Sequence, residues 1–146
     1  MKQVLFLCTA NYYRSRFAEH LFNGLAVEAG LPWRADSRGL SAGRSGNIGP
    51  ISRYALEGLE LRGISIDRAP RYPLPLTRAD LAGSDLVIAL KETEHRARLA
   101  EQFPRWVDRV EYWNVDDLDC AEPAEALAVL DGAVRALVAR LAANGA

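Results

Sequence analysis

Apolar residues follow two periods along this chain. Val4-Leu5-Phe6-Leu7 is a short unbroken apolar run, which predicts a buried strand over 3–7 that ends at Cys8. Asp85 to Leu90 (DLVIAL) reads as the clearest central strand, with Trp33 to Ser37 and Val110 to Trp113 as two further candidates. Between them the spacing changes to that of a helix. Phe17, Ala18, Leu21, Phe22 and Leu25 fall on one face of a predicted helix over 15–29, ended by Gly30. Ile51, Ala55, Leu59 and Leu61 mark another over 51–62, stopped by Gly63. Residues 92–102 are charged and read as an exposed helix. Pro123 suits the first position of a last helix, faced by Leu127, Leu130, Val134, Leu137, Val138 and Leu141. Thr77 is placed to cap a short helix over 78–82. Residues 38–50 are rich in Gly and Ser, and residues 67–76 hold three prolines, so both are read as irregular.

Strands that alternate with helices imply a parallel sheet covered on both faces, an α/β class chain. Ligands of such sheets bind at the carboxyl ends of the strands. Cys8 falls at that end of the first strand.

A length of 146 residues suits a single domain, taken here as 1–146, with a full core. Net charge is −1, which gives no reason to expect nucleic acid or an anionic membrane as partner. No apolar run approaches the roughly 20 residues that span a bilayer. The N-terminus has no signal-peptide layout, and two cysteines are too few for a disulfide framework or a zinc cluster. A cytoplasmic location with no metal or cofactor is the expectation.

Cys8 and Arg14 form a C-x5-R step, with Ser15 next and a helix starting there. Six residues let the chain turn once around an oxyanion with its amides inward, as an anion nest. The helix start adds its own amides and the positive end of its dipole. Arg14 suits bidentate grip of two oxygens, a geometry lysine does not offer. The same fields favour the thiolate of a cysteine, giving an activated nucleophile beneath a bound phosphorus. On this reading Thr9, Ala10, Asn11, Tyr12, Tyr13 and Ser15 line the phosphate.

VLFLCTANYYRSRFAEHLF at the N-terminus resembles the opening of the low-molecular-weight protein tyrosine phosphatases and of the arsenate reductases that share their fold. WRADS at Trp33 to Ser37, RGI at Arg62 to Ile64, the Leu76-Thr77 step and SDLVIAL at Ser84 to Leu90 continue the resemblance in order. It covers nearly the whole chain. It implies a three-layer α/β/α fold of the phosphotyrosine phosphatase I type, with a four-stranded parallel sheet. It also implies that Cys8 is the nucleophile, Arg14 the phosphate clamp and Ser15 a hydroxyl that stabilises the thiolate. Ser15 suits a helix N-cap as well. Asn11 would shape the nest through a left-handed backbone, with Ser37 as its partner. The general acid should be an aspartate on a late loop. WNVDDLD, Trp113 to Asp119, supplies it: alignment places Asp117 at the acid position, with Asp116 the near alternative and Asp119 a weaker one.

The chain departs from that pattern at several points. Tyr13 stands where many members have a second loop cysteine, so Cys120 is the only thiol left for a disulfide with Cys8. Leu118 stands where proline is usual. The aromatics that flank a phosphotyrosine ring are missing after Asp117 and from the 44–49 segment, and Tyr12 and Tyr13 are either their replacement or packing residues. Arg68 aligns with a loop-supporting histidine and Lys91 with an acidic residue that ends the central strand. His20 and His95 read as structural or exposed, outside the site. The expectation is a cysteine-dependent phosphomonoester hydrolase, with phosphotyrosine first in view, acting on a phosphorylated protein or small phosphate ester. An arsenate reductase using a small thiol and a non-catalytic oxyanion-binding module are the alternatives.

Overall fold

The computed structural model describes residues 1–42, 46–117 and 121–145. Its centre is β1 (Lys2–Cys8), where Val4 to Leu7 have no exposed surface. β2 (Trp33–Gly39) and β3 (Leu86–Ala89) flank β1, and β4 (Glu111–Tyr112) lies beyond β3, giving the order β2-β1-β3-β4 with every pair parallel. The expected four-stranded parallel sheet is present.

Strand alternation divides the core. Val4, Phe6 and Cys8 face one side, among Phe17, Leu21 and Phe22 of α1 (Arg14–Glu28), Leu59 of α2 (Arg53–Leu61) and Leu127, Leu130 and Val134 of α5 (Pro123–Gly145). Leu5 and Leu7 face the other side. They pack with Val87, Leu81 of α3 (Arg78–Ala82), Leu99 of α4 (Glu92–Gln102) and Val110. Each such large side chain contributes about 1.5–3 kcal/mol by leaving water. The Phe6 ring meets Phe22 at 6.2 Å and Trp113 at 5.8 Å between centroids. Cys8 points the same way as Phe6, so the pleat alone turns its thiol toward the start of α1.

Local chemistry explains the element ends. Thr77 and Asp80 form a reciprocal capping box on α3, as the Thr77 cap predicts. α1 begins one residue before its predicted start, and Tyr13 occupies the cap position with no side-chain cap bond. The predicted strand over 110–113 shortens to two residues, yet pairing with β3 continues beyond it. Trp113 N donates to Ala89 O (2.8 Å), Glu92 N to Trp113 O (3.1 Å) and Val115 N to Leu90 O (2.7 Å). These bonds carry residues 113–115 along the end of β3 and deliver Asp116 and Asp117 to the carboxyl edge. α4 is less exposed than its charge suggests, since His95 and Leu99 are fully buried.

Candidate active site

The turn from Cys8 to Arg14 is anchored from outside. Its carbonyls at Cys8, Thr9 and Tyr12 accept from the amides of Leu40 (2.9 Å), Ser41 (2.8 Å) and Ser52 (2.9 Å). With those carbonyls bonded to the flanking loops, the turn has the arrangement an anion nest requires. Asn11 has φ 54°, the only described non-glycine residue in the left-handed region. Asparagine reaches that region more readily than most residues, and four hydrogen bonds hold it there. Its Oδ1 accepts from Arg71 Nη1 (2.9 Å) and Leu74 N (3.0 Å), and its Nδ2 donates to Ser15 Oγ and Ser37 Oγ (2.8 Å each).

These bonds set a direction. Ser37 accepts from Asn11 and donates to Glu19 Oε1 at 2.6 Å. Ser15 accepts from Asn11, which leaves its own proton for Cys8 Sγ, 2.9 Å away. Ser15 is therefore not the helix cap: its hydroxyl faces the thiol.

Arg14 opens α1 and is 2% exposed. It donates through Nη2 to Glu94 Oε2 (2.7 Å) and Asp117 Oδ2 (3.3 Å), and through Nη1 to Val115 O (3.1 Å) and Glu94 Oε1 (3.4 Å). Burial works against the cation, but Cys8, Glu94 and Asp117 more than offset it and raise its pKa. Glu94 also accepts from Thr9 Oγ1 and from His95 Nε2, the latter at 2.9 Å. Hydrogen bonds from His95, then Arg14 and Thr9, outweigh partial burial and hold this carboxyl far below the usual range.

The predicted residues converge unevenly. Cys8, Ser15, Asn11 and Ser37 form one hydrogen-bonded set, and Thr9, Arg14 and Asp117 a second one through Glu94, the two joined by the turn itself. Ala10 is half-buried in the turn. Asp116 turns elsewhere and pairs with Lys91. Tyr12 is half-buried, its hydroxyl donating to Ile48 O at 2.6 Å. Tyr13 is a core residue, 5% exposed, with its pKa pushed up to about 12 by burial and the nearby Asp117. Leu118, Asp119 and Cys120, and with them the Cys8–Cys120 pairing, lie outside the described residues.

Arg68, aligned with a loop-supporting histidine, is exposed, and the support comes from Arg71, which reaches Asn11, Ser37 O (2.7 Å) and Asp36 Oδ1 (3.2 Å). One reading needs correction. His95 is not outside the site. Its ring lies under the phosphate loop, with Nε2 3.2 Å from Thr9 Oγ1. Glu94 was not anticipated at all. The only sequence signal for it was an acidic stretch, KETEH, directly after the central strand.

A buried thiol, a buried arginine and an aspartate near the carboxyl end of a parallel sheet are the groups a cysteine-based phosphatase uses. The comparisons agree: the family model for low molecular weight phosphotyrosine protein phosphatase matches residues 3–144, and the chain belongs to that family. A protein-arginine-phosphatase of Bacillus subtilis is 34% identical over 107 residues, 73% of this chain and 67% of that protein. A low molecular weight phosphotyrosine protein phosphatase of Pongo abelii is 31% identical over 97 residues, 65% of this chain and 58% of its own. The crystal structure of the low molecular weight protein tyrosine phosphatase from T. tengcongensis superposes with a TM-score of 0.79 at 29% identity, covering 96% of this chain and 99% of that one. Among the described residues no helix is long and apolar enough to cross a membrane.

Proposed function

We propose that this chain hydrolyses phosphorylated protein side chains through a cysteinyl-phosphate, with Cys8, Arg14 and Asp117 as its catalytic residues. The observation that carries this assignment is the approach of Asp117 to Arg14, which puts a carboxyl beside the group that grips phosphate. The Cys8 thiolate attacks phosphorus while the loop amides of residues 9–15 and Arg14 hold the equatorial oxygens. The bond from phosphorus to the leaving oxygen breaks, and that oxygen takes its proton from Asp117. Water then attacks the thiophosphate, giving its proton to the Asp117 carboxylate. The sulfur–phosphorus bond breaks, and thiolate and inorganic phosphate result. Ser15 donates to the sulfur at the start and the end. Ser37 and Asn11 hold Ser15 in place.

Phosphotyrosine is the first substrate on this reading, with the half-buried Tyr12 of the turn as the aromatic neighbour of the ring. Phosphoarginine is a second, favoured by the half-exposed carboxyl of Asp117 and by the activity named for the Bacillus subtilis relative; there the phosphorus–nitrogen bond breaks and the guanidino nitrogen takes the proton from Asp117. Purified protein should hydrolyse p-nitrophenyl phosphate in a vanadate-sensitive reaction that Cys8→Ser abolishes. Turnover that survives Cys8→Ser would refute the assignment. Paired peptides carrying phosphotyrosine or phosphoarginine, compared by kcat/KM, decide between the two substrates.

A further inference from the structure

We infer that Glu94, in the first turn of α4, is the positioning residue that aims Arg14 at the phosphoryl group; this rests on Arg14 being the phosphate clamp. A guanidinium buried to 2% exposure needs its donors matched. Glu94 takes the end of the fork through Nη1 and Nη2, and Val115 O takes Nη1 again. The donors these contacts leave are Nε–H and the second Nη2–H, which share one edge. Asp117 now reaches Nη2 on that edge. Two parallel donors on one edge are what bidentate grip of two phosphoryl oxygens requires.

Glu94 is itself held from behind. Lys91 N donates to His95 Nδ1 at 3.0 Å, so the ring proton of neutral His95 sits on Nε2, which faces Glu94 Oε2 at 2.9 Å. Thr9 donates to the same oxygen, tying the carboxylate to the phosphate loop. The chain end of β3, the first turn of α4 and the loop thus converge on one carboxylate. Lys91, just past the end of β3, is paired with Asp116.

Charge and position predict opposite signs, which makes the test sharp. Glu94 is a negative group close to an anion site, so if charge were its only effect, removing it would tighten oxyanion binding. If it aims Arg14, removing it loosens binding. Glu94→Gln and Glu94→Asp are to be compared with wild type for kcat, KM and vanadate inhibition, with thermal unfolding run alongside. Vanadate protection of Cys8 from iodoacetate, measured below each unfolding midpoint, reads binding in the folded protein whatever its turnover. The expected result is a kcat lowered about 10- to 100-fold in both variants, as for a misplaced catalytic contact, together with weaker vanadate binding. Unchanged or tighter vanadate binding in either variant overturns the inference. Failure of wild type to bind vanadate would instead refute the site itself.

Discussion

Asp117 Oδ2 stands 3.3 Å from Arg14 Nη2, while its neighbour Asp116 turns away to Lys91. The sequence ranks Asp117 ahead of Asp116 by alignment alone, and the structure turns the two side chains to different partners. Backbone pairing of residues 113–115 with the end of β3 fixes the phase of the chain, so adjacent side chains leave in opposite directions. Asp117→Asn should therefore lower kcat about 10²- to 10⁴-fold, the usual worth of general acid–base catalysis. The loss should grow with leaving groups poorer than p-nitrophenolate. Asp116→Asn should stay within about tenfold of wild type. Steady-state kinetics across a series of aryl phosphates checks both.

Arg71 holds Asn11 from the side opposite Ser15. It donates to Asn11 Oδ1 and to Ser37 O and lies beside Asp36 and Glu19, so one planar fork serves the loop and β2 together. Arg71→Ala leaves the buried Asn11 carbonyl with one donor instead of two. Stability should fall by about 0.5–1.5 kcal/mol, the net worth of a hydrogen bond lost from a group that keeps another partner, and kcat should fall as the left-handed turn relaxes. Arg71→Lys should recover little of either, because a single ammonium does not span both acceptors. Thermal unfolding and kcat, measured on both variants, decide.

Arg71 and Glu94 also show where the sequence stops being legible. The strands, the helices and the Cys8–Arg14 turn follow from local rules: apolar period, Gly and Pro punctuation, and a thiol and an arginine at fixed spacing. Asn11, Ser15 and Ser37 came with the resemblance, and Asn11 is hydrogen-bonded to both serines. What failed was the layer behind them. Arg68 and Arg71 are three residues apart in a proline-rich stretch with no period, so nothing local says which turns inward. Glu94 and His95 lie on a helix whose charge reads as exposed; the burial of His95 and the inward turn of Glu94 follow from tertiary packing of α4 against the loop, which hydropathy does not encode. Lys91 reads as a departure until its partner is seen.

Gly39 pairs with Cys8 across β1 and β2, at the point where the strands give way to the phosphate loop. A Cβ there would lie 2.8 Å from Thr9 O and 3.1 Å from Ala10 C, contacts with backbone that has no rotamer to yield. Gly39→Ala should destabilise the fold by about 1–3 kcal/mol, as overpacking does, and should depress kcat by displacing the Thr9–Ala10 segment. Gly132→Ala is the control. It lies within α5 with nothing within 4 Å of the added carbon, so it should stabilise by about 0.5–1 kcal/mol through helix propensity and leave kcat unchanged. Chemical denaturation paired with kinetics separates the two glycines.

His95 should give the fold a pH dependence of definite sign. Its ring has no exposed surface, and burial pushes its pKa below the ordinary imidazole value of about 6.5, against the pull of Glu94. Arg14 and Arg98 act in the same direction as burial. Protonation would also cost the hydrogen bond that Nδ1 accepts from Lys91 N. The folded state therefore binds fewer protons here than the unfolded chain, and stability rises with pH. The contribution is complete above about pH 6.5 and is lost as pH falls through the lowered folded value. His20, also lowered chiefly by burial, adds the same sign. Glu94, far below the usual carboxyl range in the folded state, extends the loss at more acidic pH, below about 4.3. The unfolding midpoint should thus climb from pH 5 to about pH 7 and then level. His95→Asn should flatten that climb while lowering the midpoint at pH 7, because the buried neutral ring and its two hydrogen bonds are lost. A climb of equal steepness in His95→Asn would mean that the titration belongs to other groups.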